Sequence, residues 1–144
     1  MLTRALVALA LLTLTACDLI DPDADFAFVW SSDDAPGDDG RIHLDPADPL
    51  IVRIRLTNPF ASPATVTFDR IELRPAPGLD GAETVFDRPD PLPLDPDSST
   101  ELRVGEITLL PADECELYAE GIVTADTGEQ ESFAITSAPI VLAD

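Results

Sequence analysis

Residues 50–58 read LIVRIRLTN, with Leu50, Val52, Ile54 and Leu56 on one parity and Arg53, Arg55 and Thr57 on the other. Side chains of a strand alternate between its two faces, so this pattern makes one face apolar and the other charged. It describes a half-buried antiparallel strand and is incompatible with a helix, whose apolar positions recur every three or four residues. The same period returns at Cys115, Leu117, Ala119, Gly121 and Val123, with Glu116, Tyr118 and Glu120 between them. Fourteen prolines and an excess of Asp over Glu add to the constraint, because both residues disfavour helix interiors. No long segment with a 3.6-residue period competes, so the chain reads as all-β.

The remaining strands follow the same logic. Phe26, Phe28 and Trp30 share a face over 26–30, and core packing is the expectation for them. SSDDAPGDDG over 31–40 is an acidic turn region, 41–44 a short strand and 45–49 another turn. The Arg53 and Arg55 face is expected to pair with Asp or Glu across the sheet. In 64–74 the inward set Ala64, Val66 and Phe68 changes parity to Ile71 and Leu73, which predicts a bulge near Asp69 and Arg70. A similar slip between Leu102, Val104, Ile107 and Leu109 falls around Gly105. Residues 83–86 form a short strand, and 87–98, with prolines at 89, 91, 93 and 96, an extended connection. Asp126 to Glu129 make a hairpin loop, and Phe133 and Ile135 lie on a returning strand that runs to about residue 136. Pro139 interrupts the ladder, leaving 140–142 as an edge strand. Seven or eight short antiparallel strands at this spacing predict an immunoglobulin-like or fibronectin-III-like β-sandwich over 26–144. The stretch Leu56-Thr57-Asn58-Pro59-Phe60, followed by Pro63 and alternating apolar residues, is similar to the water-stress (WHy) domains of late-embryogenesis-abundant proteins. That resemblance implies a small β-sandwich and no particular activity.

Residues 1–17 read MLTRALVALALLTLTAC. Arg4 precedes an apolar run over 5–12 that would span roughly 12 Å as a helix, far short of a bilayer core of about 30 Å. Its size is that of the hydrophobic region of a signal peptide. Leu14-Thr15-Ala16-Cys17 resembles the lipobox of bacterial lipoproteins: an aliphatic residue, two small residues and a cysteine. The resemblance implies cleavage between Ala16 and Cys17, a diacylglyceryl group on the Cys17 sulfur and a membrane anchor of two or three acyl chains. It divides the chain into a signal peptide over 1–16, an acylated N-terminus with an acidic tether over 17–25, and the β domain. Asp18 resembles the inner-membrane retention signal of enterobacterial lipoproteins. The expected location is the cell envelope, facing the periplasm or exterior, with a lean to the inner membrane.

The chain has 28 acidic and eight basic residues, all of the latter Arg, and a formal charge of −20. Such a surface repels nucleic-acid phosphates and anionic head groups, so the domain is expected to stand off its membrane. With Cys17 acylated, Cys115 has no disulfide partner and is read as a small buried hydrophobe. His43 is the only histidine, which leaves no His–His pair, and no serine lies in a nucleophile motif. No cofactor motif is present, and no catalytic residue is expected.

Carboxylates are the one chemical resource in abundance. Asp21, Asp23 and Asp25 have alternate spacing like a calcium loop, but Phe26 stands where an EF-hand needs glycine and Ser32 where it needs glutamate. Asp33, Asp34, Asp38 and Asp39 form a second acidic group without a recognised ligand order. The sequence therefore leads to a membrane-anchored, non-catalytic envelope module that binds another envelope protein or surface component. The alternative is a lipoprotein that binds calcium or a small ligand through these acidic loops.

Overall fold

The computed structural model describes residues 26–143, an all-β arrangement with no helix among them. Ten strands form: β1 (Phe26–Val29), β2 (Ile42–Leu44), β3 (Leu50–Thr57), β4 (Ala64–Pro75), β5 (Thr84–Val85), β6 (Leu92–Leu94), β7 (Ser99–Ile107), β8 (Glu114–Ala125), β9 (Gln130–Thr136) and β10 (Ile140–Leu142). One sheet has the order β1-β3-β7. The other is centred on the antiparallel β4–β8 pair. β5 and β6 lie on the outer side of β4, and β9 and β10 on the outer side of β8.

The two sheets share one sandwich-like interior because the alternating residues of each face the other. Ile54 and Leu56 of β3 meet Val66, Phe68 and Ile71 of β4 and Ala119 and Val123 of β8 in one buried cluster. Leu50 and Val52 meet Leu73, Leu117, Cys115, Ile42 and Ile140 in a second. Burial of such side chains, at roughly 25 cal/mol per Å² of apolar area, is what holds two otherwise separate ladders together.

Both predicted parity slips are present. Asp69 is the extra residue of β4, lying between the Phe68–Gly121 and Arg70–Glu120 pairs, and its insertion returns Ile71 and Leu73 to the core. Val104 is the extra residue of β7, between the Arg53–Arg103 and Val52–Gly105 pairs. Cys115 is fully buried, as the alternation predicts.

Several expectations are corrected. The connection over 87–98 contains β6, whose Pro93 lies opposite Thr65 on a strand paired on one side only, where a missing N–H is tolerated. β10 is internal: it pairs antiparallel with the start of β8 and parallel with β2, which is the edge strand in its place. Short separated segments like 42–44 and 140–142 carry no pattern that reveals such a long-range parallel match. Ser137 makes the transition, its Oγ accepting the Leu117 N–H (2.9 Å) where the ladder passes from β9 to β10. Leu109 is not inward but 79% exposed, because β7 ends at Ile107. The three aligned aromatics do pack on the core as expected: Phe26 is buried, while Phe28 and Trp30 are half-buried against it and stack on each other, with centroids 6.3 Å apart. Arg55 does lie opposite Glu101, but Arg53 lies opposite Arg103.

Candidate functional site

Strand direction gives the domain two distinct ends. Phe26 enters beside Leu56, at the end carrying the connections 58–63, 95–98 and 126–129. The connections 31–41, 45–49, 76–83 and 108–113 gather at the other end, near Leu50, Ile107 and Leu73. Cys17, the lipobox candidates Leu14, Thr15 and Ala16, the sorting candidate Asp18, and Asp21, Asp23 and Asp25 lie outside the described residues.

The acidic 31–40 loop is at the end remote from Phe26. Two of its carboxylates, those of Asp34 and Asp39, serve the loop itself. Asp34 accepts the Ser31 hydroxyl at 2.9 Å. Asp39 accepts the Arg41 N–H at 3.0 Å and contacts His43 Nε2 at 3.0 Å. The Arg41 N–H, ahead of the His43 contact, holds the Asp39 carboxyl below its ordinary value. Arg41 in turn ties the loop to β8 through Glu114 (3.0 Å). Asp33, Asp34, Asp38 and Asp39 are not brought to a common centre. Among the described residues no group of three or more His, Cys, Asp or Glu side chains is placed to hold a metal ion. His43 is engaged by Asp39, and no serine or cysteine lies in that contact.

The most elaborate polar arrangement is on the outer face of the β4–β8 pair, which sequence reasoning did not single out. Arg74 donates to Glu116 through Nε (3.0 Å) and Nη2 (2.9 Å), and its guanidinium lies 4.3 Å from the centre of the Tyr118 ring. Tyr118 donates its hydroxyl to Glu120 at 2.6 Å, and this bond raises the phenol above its ordinary range. Glu72 stands beside Arg70 and Arg74 in the same ladder. The signal was available as alternating Arg and Glu at 70, 72 and 74 facing Glu116, Tyr118 and Glu120, but only the register of β4 on β8 aligns the two runs. Each of these groups is taken by another protein group, so the ladder works as a brace between strands and presents no free nucleophile.

At the other end, Asn58 is a second buried polar residue, 2% exposed. Its side-chain Nδ2 donates to Ser62 O (2.8 Å) and Asp95 O (3.0 Å), while Oδ1 accepts the Phe60 N–H (2.9 Å). The Asn-Pro-Phe turn in the stretch similar to WHy domains is thus a clip joining two connections.

Cys115 is buried with its thiol 3.5 Å from Ala112 O, and burial pushes its pKa up. That environment suppresses the thiolate needed for reactivity. No helix among the described residues is long and apolar enough to cross a membrane. No known family profile matches this chain, and no curated protein sequence matches it.

Proposed function

We propose that this protein is an exported bacterial lipoprotein, cleaved before Cys17 and anchored in the cell envelope by acyl chains on that residue. Its β domain is a non-catalytic module that binds another envelope protein or a surface component. The observation that carries this reading is the order of residues in 4–17: Arg4, a short apolar run, then Leu14-Thr15-Ala16-Cys17. Two or three acyl chains, at about 0.8 kcal/mol per buried CH₂, make such attachment effectively permanent. Cleavage removes Arg4, leaving 28 acids against seven arginines, a charge of about −21 that favours a domain held away from anionic lipid.

The geometry is compatible with this orientation. Residues 18–25 would reach at most roughly 28 Å, joining the domain at Phe26. The connections at the opposite end, including the acidic loop, would then point away from the anchoring bilayer. Asp18 favours the inner membrane.

We also read the domain as fibronectin-III-like, within the broader immunoglobulin-like class. The support is strand order: β1-β3-β7 faces a sheet whose spine runs β5-β4-β8-β9, three strands on four. The β2–β10 pair is an addition to that plan. A sandwich hosts many unrelated tasks, so the assignment concerns architecture and not partner.

The test is metabolic labelling with a radioactive fatty acid, followed by mass spectrometry of the N-terminal peptide. The native chain is expected to carry label on an N-terminal Cys17, and Cys17→Ser to lose it and accumulate uncleaved. An unlabelled native chain that retains Met1 would overturn the proposal.

A further inference from the structure

Six of the described strands lie on the outer margins of the two sheets: β1, β2, β5, β6, β7 and β9. Unpaired edges invite the addition of another strand, and most of these are guarded against it. β1, β2, β5 and β6 are two to four residues long, and β6 also contains Pro93. β7 is nine residues long, but the Val104 bulge breaks it and it carries Glu101, Arg103 and Glu106. β9 has none of these devices. Its seven residues, QESFAIT, pair with β8 in unbroken register and include no proline, glycine, lysine or arginine.

The direction of its free backbone groups follows from the two ends of the β8–β9 pair. Ala125 N–H donates to Glu129 O at 2.8 Å and Ser137 N–H to Leu117 O at 2.9 Å. Hydrogen-bonded pairs recur at every second residue, so Glu131, Phe133 and Ile135 turn their N–H and C=O towards β8. Gln130, Ser132, Ala134 and Thr136 turn theirs away, and no other described strand pairs with them. The side chains of Ser132, Ala134 and Thr136 are exposed on the outer face. Being small and uncharged, they leave that edge open.

Beyond them the outer face is acidic. Ala134 lies opposite Glu120 of β8, and Ser132, Ala134, Glu120 and Asp69 line one open trough of about 370 Å³. The Tyr118 bond uses one oxygen of Glu120, and Asp69 is exposed at its bulge. A strand added to β9 would stand about 10 Å from β8, two inter-strand spacings. A lysine or arginine opposite Ala134 spans that distance over a methyl group and meets the two carboxylates. On the other face, half-buried Phe133 and Ile135 offer apolar contact to the residues between the basic ones. The formal charge of −20 opposes a second copy at this edge and attracts a cationic segment.

We propose that the free edge of β9 is a strand-addition site for an extended segment of alternating basic and apolar residues, with a basic residue opposite Ala134. The proposal rests on the reading of the β domain as a binding module and names the chemistry of its partner. Main-chain bonds to Ser132, Ala134 and Thr136 hold the segment, and Asp69 and Glu120 select its charge.

The test adds a capped peptide of alternating lysine and valine, as long as β9, to the full chain and follows amide hydrogen exchange. Exchange at Ser132, Ala134 and Thr136 is expected to slow about tenfold, with little change at Phe133 and Ile135, which already bond to β8. Ala134→Pro removes one outward N–H and no bond to β8, so the variant should fold and lose the protection. Asp69→Asn combined with Glu120→Gln should also fold, the new amide still accepting the Tyr118 hydroxyl. It should weaken binding about fivefold, as expected of two partly exposed ion pairs. A peptide of the same residues sorted into a lysine block and a valine block should leave these amides unprotected. Equal protection by the block peptide, binding retained by Ala134→Pro, or no protection at all would overturn the proposal. Protection that grows with protein concentration alone would do the same, because a second copy would then be the occupant. A partner crosslinked in cells equally to the native chain and to Ala134→Pro would keep the binding module and remove β9 as its site.

Discussion

The Phe133 ring of β9 stacks on Phe26 of β1 with centroids 4.4 Å apart and planes 3° from parallel. This contact joins the two sheets along one side, and Phe68 meets the same Phe133 ring edge-on at 5.7 Å. The room for it comes from Gly121: a Cβ there would lie 2.8 Å from Phe133 and 2.4 Å from Thr67 O. On the opposite seam Phe86 lies over Gly105 in the same manner. Each open side of the interior is thus closed by a phenylalanine resting on a glycine in a strand.

Gly121→Val is expected to be among the most damaging single changes, because the contact to Thr67 O is with backbone and cannot be relieved by a rotamer change. Phe133→Ala should cost about 3 kcal/mol, the lower end of the range for removing a phenylalanine, since this ring is only half-buried. Urea denaturation of the purified chain checks both. A loss under ~1 kcal/mol for Phe133→Ala would show that the stack contributes little to closing the sandwich.

Asn58→Ala removes a donor to two connections and the acceptor of the Phe60 N–H at a site closed to water. Net hydrogen bonds contribute about 1 kcal/mol each, and stranded carbonyls add to the loss, so a cost of about 2–3 kcal/mol is expected. Asn58→Asp should be no better, because a carboxylate cannot donate to Ser62 O and Asp95 O. Chemical denaturation of both variants gives the comparison.

The raised pKa of Glu72 carries a sign. The folded chain holds that proton more tightly than the unfolded one, so the contribution to stability is complete below the ordinary value of 4.5 and is lost as pH rises through the higher folded value. Glu72→Gln is therefore expected to raise Tm at neutral pH relative to the native chain, and the difference should shrink as the pH is lowered towards 4.5. Melting curves across that interval test it; a variant less stable at neutral pH than in acid, relative to the native chain, would mean that Arg70 and Arg74 dominate.

Cys115 should resist thiol reagents while the chain is folded and react at once in denaturant, since its thiol is buried and its pKa raised by desolvation. The ratio of the two labelling rates reports global or local opening around β8. Rapid labelling of the folded chain would show that this end of the strand opens readily.

The legible part of the fold was its local periodicity. Alternation in 50–58 and 115–123 places β3 and β8 and their inward faces, and a change of parity in 64–74 and 102–109 locates two bulges, because inserting one residue is the one way to keep both halves of such a strand facing the core. The proposed lipobox lies wholly in consecutive residues and needs no fold to be read, which is why the proposed anchor rests on sequence. Other features depend on which strands become neighbours. β2 and β10 are three residues each and pair in parallel across nearly the whole domain, a match that three-residue patterns cannot encode. Glu72 reads as one more outward charge until Arg70 and Arg74 flank it and the assembled sheet covers it. Burial, and with it the shift in its proton affinity, belongs to the assembled surface. The residues by themselves determined alternation and turns and supply the order in 4–17 on which the proposed export rests; only the tertiary contacts decided which charges are hidden and which glycines make room for rings, because desolvation and steric fit exist only once distant segments meet.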